Sequence, residues 1–382
     1  MMPLAEALGL YIHWPYCARI CPYCDFNVYR PRAGVDDLFA AMLIDMASWR
    51  QRTGPRQLAS IHFGGGTPSL MTPTQIEALI DRASQLWGLS ETVEIGLEAN
   101  PKDLNAFDDF AMAGVNRLSL GVQSFDDPTL VALGRDHDAE LGRRALRSAA
   151  RVFSNLSLDL IYARHGQTLD QWVSELTEAL DSGVGHLSPY QLTIEGGTAF
   201  GRRVARGEKL ASPPDGAADF FETTQTLCDD MGLPAYEISN HARSIAQQSV
   251  HNKLYWEGGD WIGLGPGAHG RLGRHATGGR TAYSSVRRPD AYRDAVASTQ
   301  SGLAETENLS ASEEAAERIL MGLRLASGLD RRVLRAATGL DVDVAAMAQL
   351  DEEGLVTSRE DMVSLTQRGR LLADGVSGAL VA

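Results

Sequence analysis

LGLYIHWPYCARICPYC, residues 8–24, is an alternating apolar run that passes a proline and opens into three cysteines. Alternation and aromatic content over 8–14 predict a buried strand. The cysteines behind it, Cys17, Cys21 and Cys24, are spaced C-x3-C-x2-C. A structural zinc site takes four ligands and a disulfide framework an even number of thiols. Three thiolates on one short loop therefore leave a coordination position to be filled, and two completions stay open. Either a zinc ion takes its fourth ligand from His13 or Asp25, or the thiolates hold three irons of a [4Fe–4S] cube and leave the fourth iron for an exogenous ligand. The remaining cysteine, Cys228, lies in the helical stretch TQTLCDDM and reads as a small buried apolar residue.

The strand at 8–14 is the first of six. LASIHFG (58–64), VEIGLEA (93–99), NRLSLGV (116–122), LSLDLIY (156–162) and HLSPYQL (186–192) follow. Between them lie amphipathic patterns that predict helices, among them 35–49, 72–88 and 168–183, with a further helix at 217–231. Strand–helix units joined by right-handed crossovers imply a parallel sheet covered by helices. Six units are too few for a closed eight-fold barrel, so the expected fold class is α/β, a partial (β/α)6 barrel over 1–235. In such folds the chemistry gathers at the C-terminal ends of the strands. The cysteines, GGGTPS (64–69), EANP (98–101) and GVQSF (121–125) each follow a strand, and Asp159 lies in the latter half of one. Residues 236–305, glycine-rich and aromatic, read as strands and loops extending over the barrel mouth. Helices at 312–326, 330–337 and 343–352, then GLVTS and MVSLT as a hairpin, make 306–382 a separate unit resembling a winged helix.

The chain of 382 residues carries a formal charge of −14. That balance opposes general attraction to nucleic acid or anionic lipid. From residue 311 onward 8 Arg and no Lys face 12 acidic residues, which disfavours DNA as a partner of the winged unit. No apolar run of ~18 residues occurs, so no membrane span is expected. MMPLAEALGL at the start lacks the basic segment and apolar core of a secretory signal. Four cysteines, three of them crowded together, suit a reducing cytoplasm.

Several polar residues share the predicted rim. The glycines of GGGTPS let backbone groups approach a small ligand. Glu98 places a carboxylate at a strand end, where it could accept ribose hydroxyls. Arg117, Ser119, Gly121 and Gln123 alternate onto one side of their strand, and Arg135 in LGRDH and Asp159 complete a polar shell.

The cysteine spacing, with an aromatic residue just before the last Cys, resembles the signature of the radical S-adenosylmethionine enzymes. That resemblance implies that the open iron is chelated by the amino and carboxylate groups of S-adenosylmethionine, whose reductive cleavage yields a 5′-deoxyadenosyl radical. The order YIHWPYC, GGGTPS, EANP, RLSLGVQSF, LGRDH, DLIY, YQLTIE, YEISN resembles one branch of that superfamily over nearly the whole chain. The branch holds the oxygen-independent coproporphyrinogen III dehydrogenases and the HemW-type haem chaperones. The resemblance implies S-adenosylmethionine contacts at Tyr11, Gly65, Gly66, Thr67, Glu98, Gln123, Arg135 and Asp159. ARHGQ (163–167) departs from the expected GLPGQ-like loop.

Within the branch, the dehydrogenases extend the triad to C-x3-C-x2-C-x-C and carry a long segment before the first strand. Here Phe26 occupies the extra position and Tyr11 comes almost at once. HNKLYW (251–256) matches the HNxxYW motif of the chaperones, which implies an axial imidazole for haem from His251 and a porphyrin-facing surface from Tyr255 and Trp256. His241 and His269 are weaker candidates. The expectation is a haem chaperone that binds haem as cargo and passes it to haem-dependent apoproteins, with a radical site but no porphyrinogen dehydrogenase activity. A membrane-associated recipient would leave no transmembrane signature in this chain, and the resemblance admits a cluster-dependent homodimer. The alternatives are the decarboxylating dehydrogenase itself and a radical enzyme acting on another substrate.

Overall fold

In the computed structural model, which describes residues 7–31, 34–273 and 278–381, six parallel strands stand side by side in sequence order. They are β1 (Leu8–Trp14), β2 (Leu58–Gly65), β3 (Leu89–Ala99), β4 (Arg117–Gln123), β5 (Asn155–Tyr162) and β6 (His186–Gln191). The crossovers carry α1 (Val35–Thr53), α2 (Pro73–Trp87), α3 (Phe107–Met112), α4 (Asp127–Ala132), α5 (Ala139–Val152) and α6 (Leu169–Asp181). Residues 1–6, most of the segment read above for a secretory signal, lie outside the described residues.

Period two governs which face of each strand does what. Leu10 and Ile12 on β1, Ile61 and Phe63 on β2, and Leu118 and Leu120 on β4 are fully buried among the covering helices. Their alternates Ser60, His62, Glu94, Glu98, Arg117, Ser119, Ser157 and Asp159 face inward. Parallel strands are ordinarily apolar on both faces; these are not, because one face lines a polar cavity. The helices answer with one apolar stripe each: α1 buries Leu38, Met42, Met46 and Trp49, and α2 buries Ile76, Leu79, Ile80, Ala83 and Trp87. Capping boxes Thr72/Gln75 and Thr168/Gln171 start α2 and α6 by satisfying otherwise unpaired N–H groups.

After β6 come α7 (Ala199–Val204), α8 (Pro214–Asp230) and β7 (His241–Ala242), the last antiparallel to β6. The next segment corrects the expectation of strands and loops over the mouth. It contains two helices, α9 (Val250–Trp256) and α10 (Pro289–Thr299). Its strands β8 (Asp260–Leu264), β9 (His269–Gly273), β10 (Arg280–Ser285) and β11 (Leu303–Asn308) extend the sheet beyond β1 instead of capping it. β8 joins β1 in parallel, making a seventh parallel strand. It was not legible as a βα unit because the helix before it has only seven residues and the strand, buried at every position, shows no alternation.

The last unit holds α11 (Ala311–Gly322), β12 (Leu329–Asp330), α12 (Arg331–Thr338), α13 (Val344–Glu352), β13 (Val356–Arg359), β14 (Met362–Leu365), α14 (Gln367–Leu371) and α15 (Ala373–Leu380). The helices and the small sheet, in the order β12-β14-β13, enclose their own core around Ile319, Leu334, Val363 and Leu380. This unit is tied to the barrel through YEISN: Ala326 N–H donates to the Tyr236 carbonyl at 2.9 Å, and the Arg370 guanidinium donates to the Glu237 carbonyl.

Candidate functional site

The three cysteines occupy the loop leaving β1. Cys17 N–H donates to the Tyr29 carbonyl at 2.9 Å and Tyr29 N–H to the Pro15 carbonyl at 2.7 Å, which closes the loop at its base. Cys17 is buried, Cys21 and Cys24 are half-buried, and all three border a cavity of about 480 Å³ at the C-terminal ends of the strands. Burial pushes the Cys17 thiol up and the Cys24 thiol to about 11, so ligation of a metal must displace protons. The Arg135 guanidinium lies 3.5 Å from Cys21 Sγ, a cation beside a prospective thiolate.

Three thiols on one loop, all bordering one cavity, fit a cluster that offers one iron to each of them. Among the described residues no three His, Cys, Asp or Glu converge closely enough to hold one metal ion. A cube spreads its ligands over separate corners. His13, the histidine offered above as a zinc ligand, has both ring nitrogens occupied: Nε2 lies 2.9 Å from the Asn27 carbonyl and Nδ1 3.0 Å from the Tyr11 hydroxyl.

Gly65, Gly66 and Thr67 form the next wall, and the structure explains the glycines. Gly65 has φ +106°, and a Cβ there would meet the His13 ring at 2.5 Å. A Cβ on Gly66 would stand 2.6 Å from the Tyr16 carbonyl oxygen and 2.8 Å from that of Trp14. Those oxygens accept Thr67 N–H (2.8 Å) and Gly66 N–H (2.7 Å), stitching the glycine turn to the cluster loop. Glu98 stands across from them. Its Oε2 accepts Gly65 N–H at 3.3 Å, and Oε1 pairs with His62 Nε2 at 3.2 Å.

Gln123, φ +70°, sits at a bulge that ends β4 and turns its side chain to the cavity. Arg135 Nη2 donates to the Gly121 carbonyl at 2.8 Å, anchoring the guanidinium across that bulge. Asp159 accepts the Ser119 hydroxyl at 3.0 and 3.1 Å. Burial, reinforced by Glu98, raises its pKa to about 6 despite the Ser119 hydrogen bond. The unfolded carboxyl titrates near 3.8, so the folded state bears a penalty that is full above about pH 6 and vanishes as pH falls toward 3.8. Asp159→Asn is therefore expected to stabilise the cofactor-free protein by up to about 3 kcal/mol at neutral pH. Thermal unfolding from pH 4 to 8 checks this; a gain that does not shrink on acidification would refute it.

Seven of the eight expected S-adenosylmethionine contacts thus border one cavity. Tyr11 does not; it stands behind Gly64, whose Cβ would meet its ring at 2.8 Å. The cavity also holds polar residues the sequence reading missed: His62, Ser157, His186, Ser188 and Asn240. Ser157 Oγ lies 2.7 Å from His186 Nδ1, and Ser188 donates to Asn240 Oδ1 at 2.6 Å. For all but Asn240, which lies in a loop, the signal was the polar alternation in β2, β5 and β6. The ARHGQ departure lies at a separate cleft, where Arg164 pairs with the buried Glu175 at 3.0 Å.

The expected haem residues lie elsewhere than on an open surface. HNKLYW forms α9, not a loop beside a strand. His251 is 2% exposed, and burial, followed by the neighbouring His62, holds its pKa well below the usual histidine value. Tyr255 packs edge-on against it at 4.5 Å, and the Trp256 ring lies 4.9 Å beneath the Arg324 guanidinium. His241 is fully buried, its Nδ1 3.1 Å from the Leu233 carbonyl, and His269 is exposed on β9 away from the cavity.

Residues 11–178 match the Radical SAM superfamily, and residues 309–372 match the HemN C-terminal domain. The chain is 37% identical over 334 residues to "Radical S-adenosyl methionine domain-containing protein 1, mitochondrial" of Bos taurus, covering 86% of this chain and 75% of that protein. It is 34% identical over 383 residues to the "Heme chaperone HemW" of Mycobacterium tuberculosis, covering 98% of this chain and 95% of that protein. Its fold superposes on coproporphyrinogen III oxidase (HemN) of Escherichia coli with a TM-score of 0.83 at 22% identity, over 100% of this chain and 91% of the other.

Proposed function

Since the chain belongs to the HemW family of the radical S-adenosylmethionine superfamily, we propose that it is a cytoplasmic haem chaperone that binds haem and delivers it to haem-dependent apoproteins. In this reading it also holds a [4Fe–4S] cluster and S-adenosylmethionine at the barrel mouth. The observation that carries it is full-length similarity to a haem chaperone, joined to a triad that ends at Cys24 with Phe26, 60% exposed, in place of a fourth cysteine.

Cys17, Cys21 and Cys24 would hold the cluster as thiolates, so the two raised thiols would have to give up their protons. When bound, the cluster and S-adenosylmethionine together supply one-electron chemistry. Gly65 and Gly66 let the turn pack directly on His13 and on the root of the cluster loop, where a Cβ would clash, and so set the backbone that would take the cofactor's methionyl end. Glu98, held by His62, offers an acceptor for ribose hydroxyls, and Arg135 sets positive charge beside Cys21. Gln123 and Asp159 complete the polar wall. Among the described residues no helix is long and apolar enough to cross a membrane.

The test is an anaerobic pair of assays on cluster-reconstituted protein with S-adenosylmethionine and reductant. One follows the Soret band as haem is added; the other follows product from coproporphyrinogen III. Haem uptake without porphyrinogen turnover is expected. Turnover would make the protein a decarboxylating dehydrogenase, and absence of haem uptake would overturn the chaperone reading.

A further inference from the structure

We propose that His251 is a positioning residue of the S-adenosylmethionine site, acting through His62 on Glu98; this rests on the cofactor reading above, not on haem binding. The helix that carries it is clamped to the barrel interior. Glu94 on β3 accepts the N–H groups of Val250 and His251 at 3.0 Å each and the Ser249 hydroxyl at 3.2 Å, with Arg117 3.6 Å away. The imidazole enters the barrel wall and Nδ1 lies 2.9 Å from Ser60 Oγ. It lies flat on the His62 ring, centroids 4.8 Å apart and planes 12° from parallel. Tyr11 flanks both rings, at 6.3 Å from His62 and 6.2 Å from His251.

His62 is the link to the cofactor wall. An imidazole on a strand is free to turn about its outer side-chain torsion. The His251 stack fixes its plane and so aims Nε2 at Glu98 Oε1, 3.2 Å away. Glu98 in turn receives Gly65 N–H. The contacts thus run unbroken from α9 to a carboxylate on the cavity. His251 Nε2 is buried without a hydrogen-bond partner among the described residues. A native protein keeps such a group at a cost, and here the ring is held by stacking against His62. Tyr255 and Trp256 are likewise spent internally, on His251 and on Arg324 of the last unit.

The experiment compares His251→Ala, His251→Phe and Ser60→Ala in the full-length, cluster-reconstituted protein. Equilibrium dialysis measures S-adenosylmethionine affinity, and absorption and EPR spectra measure the cluster and added haem. His251→Ala is expected to weaken S-adenosylmethionine about tenfold, as removal of a supporting partner does at other ligand sites. His251→Phe, which restores a flat ring on His62, should recover most of that loss, and Ser60→Ala should have a smaller effect. Cluster absorption and the spectrum of bound haem should stay as in the wild type. Affinity of the Ala variant within about twofold of wild type, or a Phe variant as weak as the Ala variant, overturns the inference. So does loss of an axial-imidazole haem signature with cofactor affinity intact. If the Ala variant fails to fold, the Phe and Ser60 variants still decide. Wild-type protein that takes up no haem refutes the chaperone reading alone; wild-type protein that binds no S-adenosylmethionine refutes both.

Discussion

Replacing Cys17, Cys21 or Cys24 by Ser, one at a time, is expected to abolish the brown thiolate-to-iron absorption and to drop iron from about four per chain to near zero. With three protein ligands for four irons, loss of one leaves two anchors, too few to retain a cube against exchange. The fold should survive, because the loop is closed by backbone pairing of Cys17 and Tyr29 and not by the thiols. Thermal unfolding of the cluster-free variants should therefore match that of cluster-free wild type. Iron and colour retained in all three variants would refute the cluster assignment. A loss confined to one or two would show that other groups complete the ligation.

Gly66→Ala should produce the second large effect, by sterics alone. The added Cβ would stand 2.6 and 2.8 Å from the carbonyl oxygens of Tyr16 and Trp14. Both are backbone atoms at the root of the cluster loop, so neither can rotate aside. Relief requires breaking the Gly66–Trp14 and Thr67–Tyr16 hydrogen bonds, 2.7 and 2.8 Å in the native turn. Overpacking of this kind costs roughly 1–3 kcal/mol. Moving the turn also displaces the cofactor cradle, so S-adenosylmethionine affinity should fall at least about tenfold, by analogy with a 1 Å displacement of positioning groups. Gly196→Ala, with no atom within 4 Å of the new Cβ, is the control and should be neutral. Unchanged affinity in Gly66→Ala would mean that the glycine turn does not hold the cofactor.

The barrel was legible because its strands are written in alternation and its helices in periodic stripes. All six predicted strands lie within a few residues of their positions, β3 starting earlier, at Leu89, and β5 one residue earlier, at Asn155. What escaped was short or unpatterned. α3 and α4 have six residues each and complete too few turns to show a period. HNKLYW was read by its chemistry as a surface for a porphyrin, and it folds as a short helix that buries His251 and Leu254 and leaves Tyr255 and Trp256 half-buried. Nothing in those six letters says that Glu94, more than 150 residues earlier, will clamp their backbone.

The sequence by itself determined the cluster loop, the glycine turn and the order of polar residues along the strand ends. These are local matters: three thiols within eight residues must share a loop, and a strand places its ends at one rim. Only the tertiary structure decided which strand face becomes the interior. Curving the sheet collects Ser119, Asp159, His62 and Ser188 on one wall and turns Leu118, Ile61 and Leu158 toward the helices. It also decided that Tyr11 stands behind that wall and that His251 joins it. Such placements depend on contacts between residues far apart in the chain, and a local pattern carries no term for them.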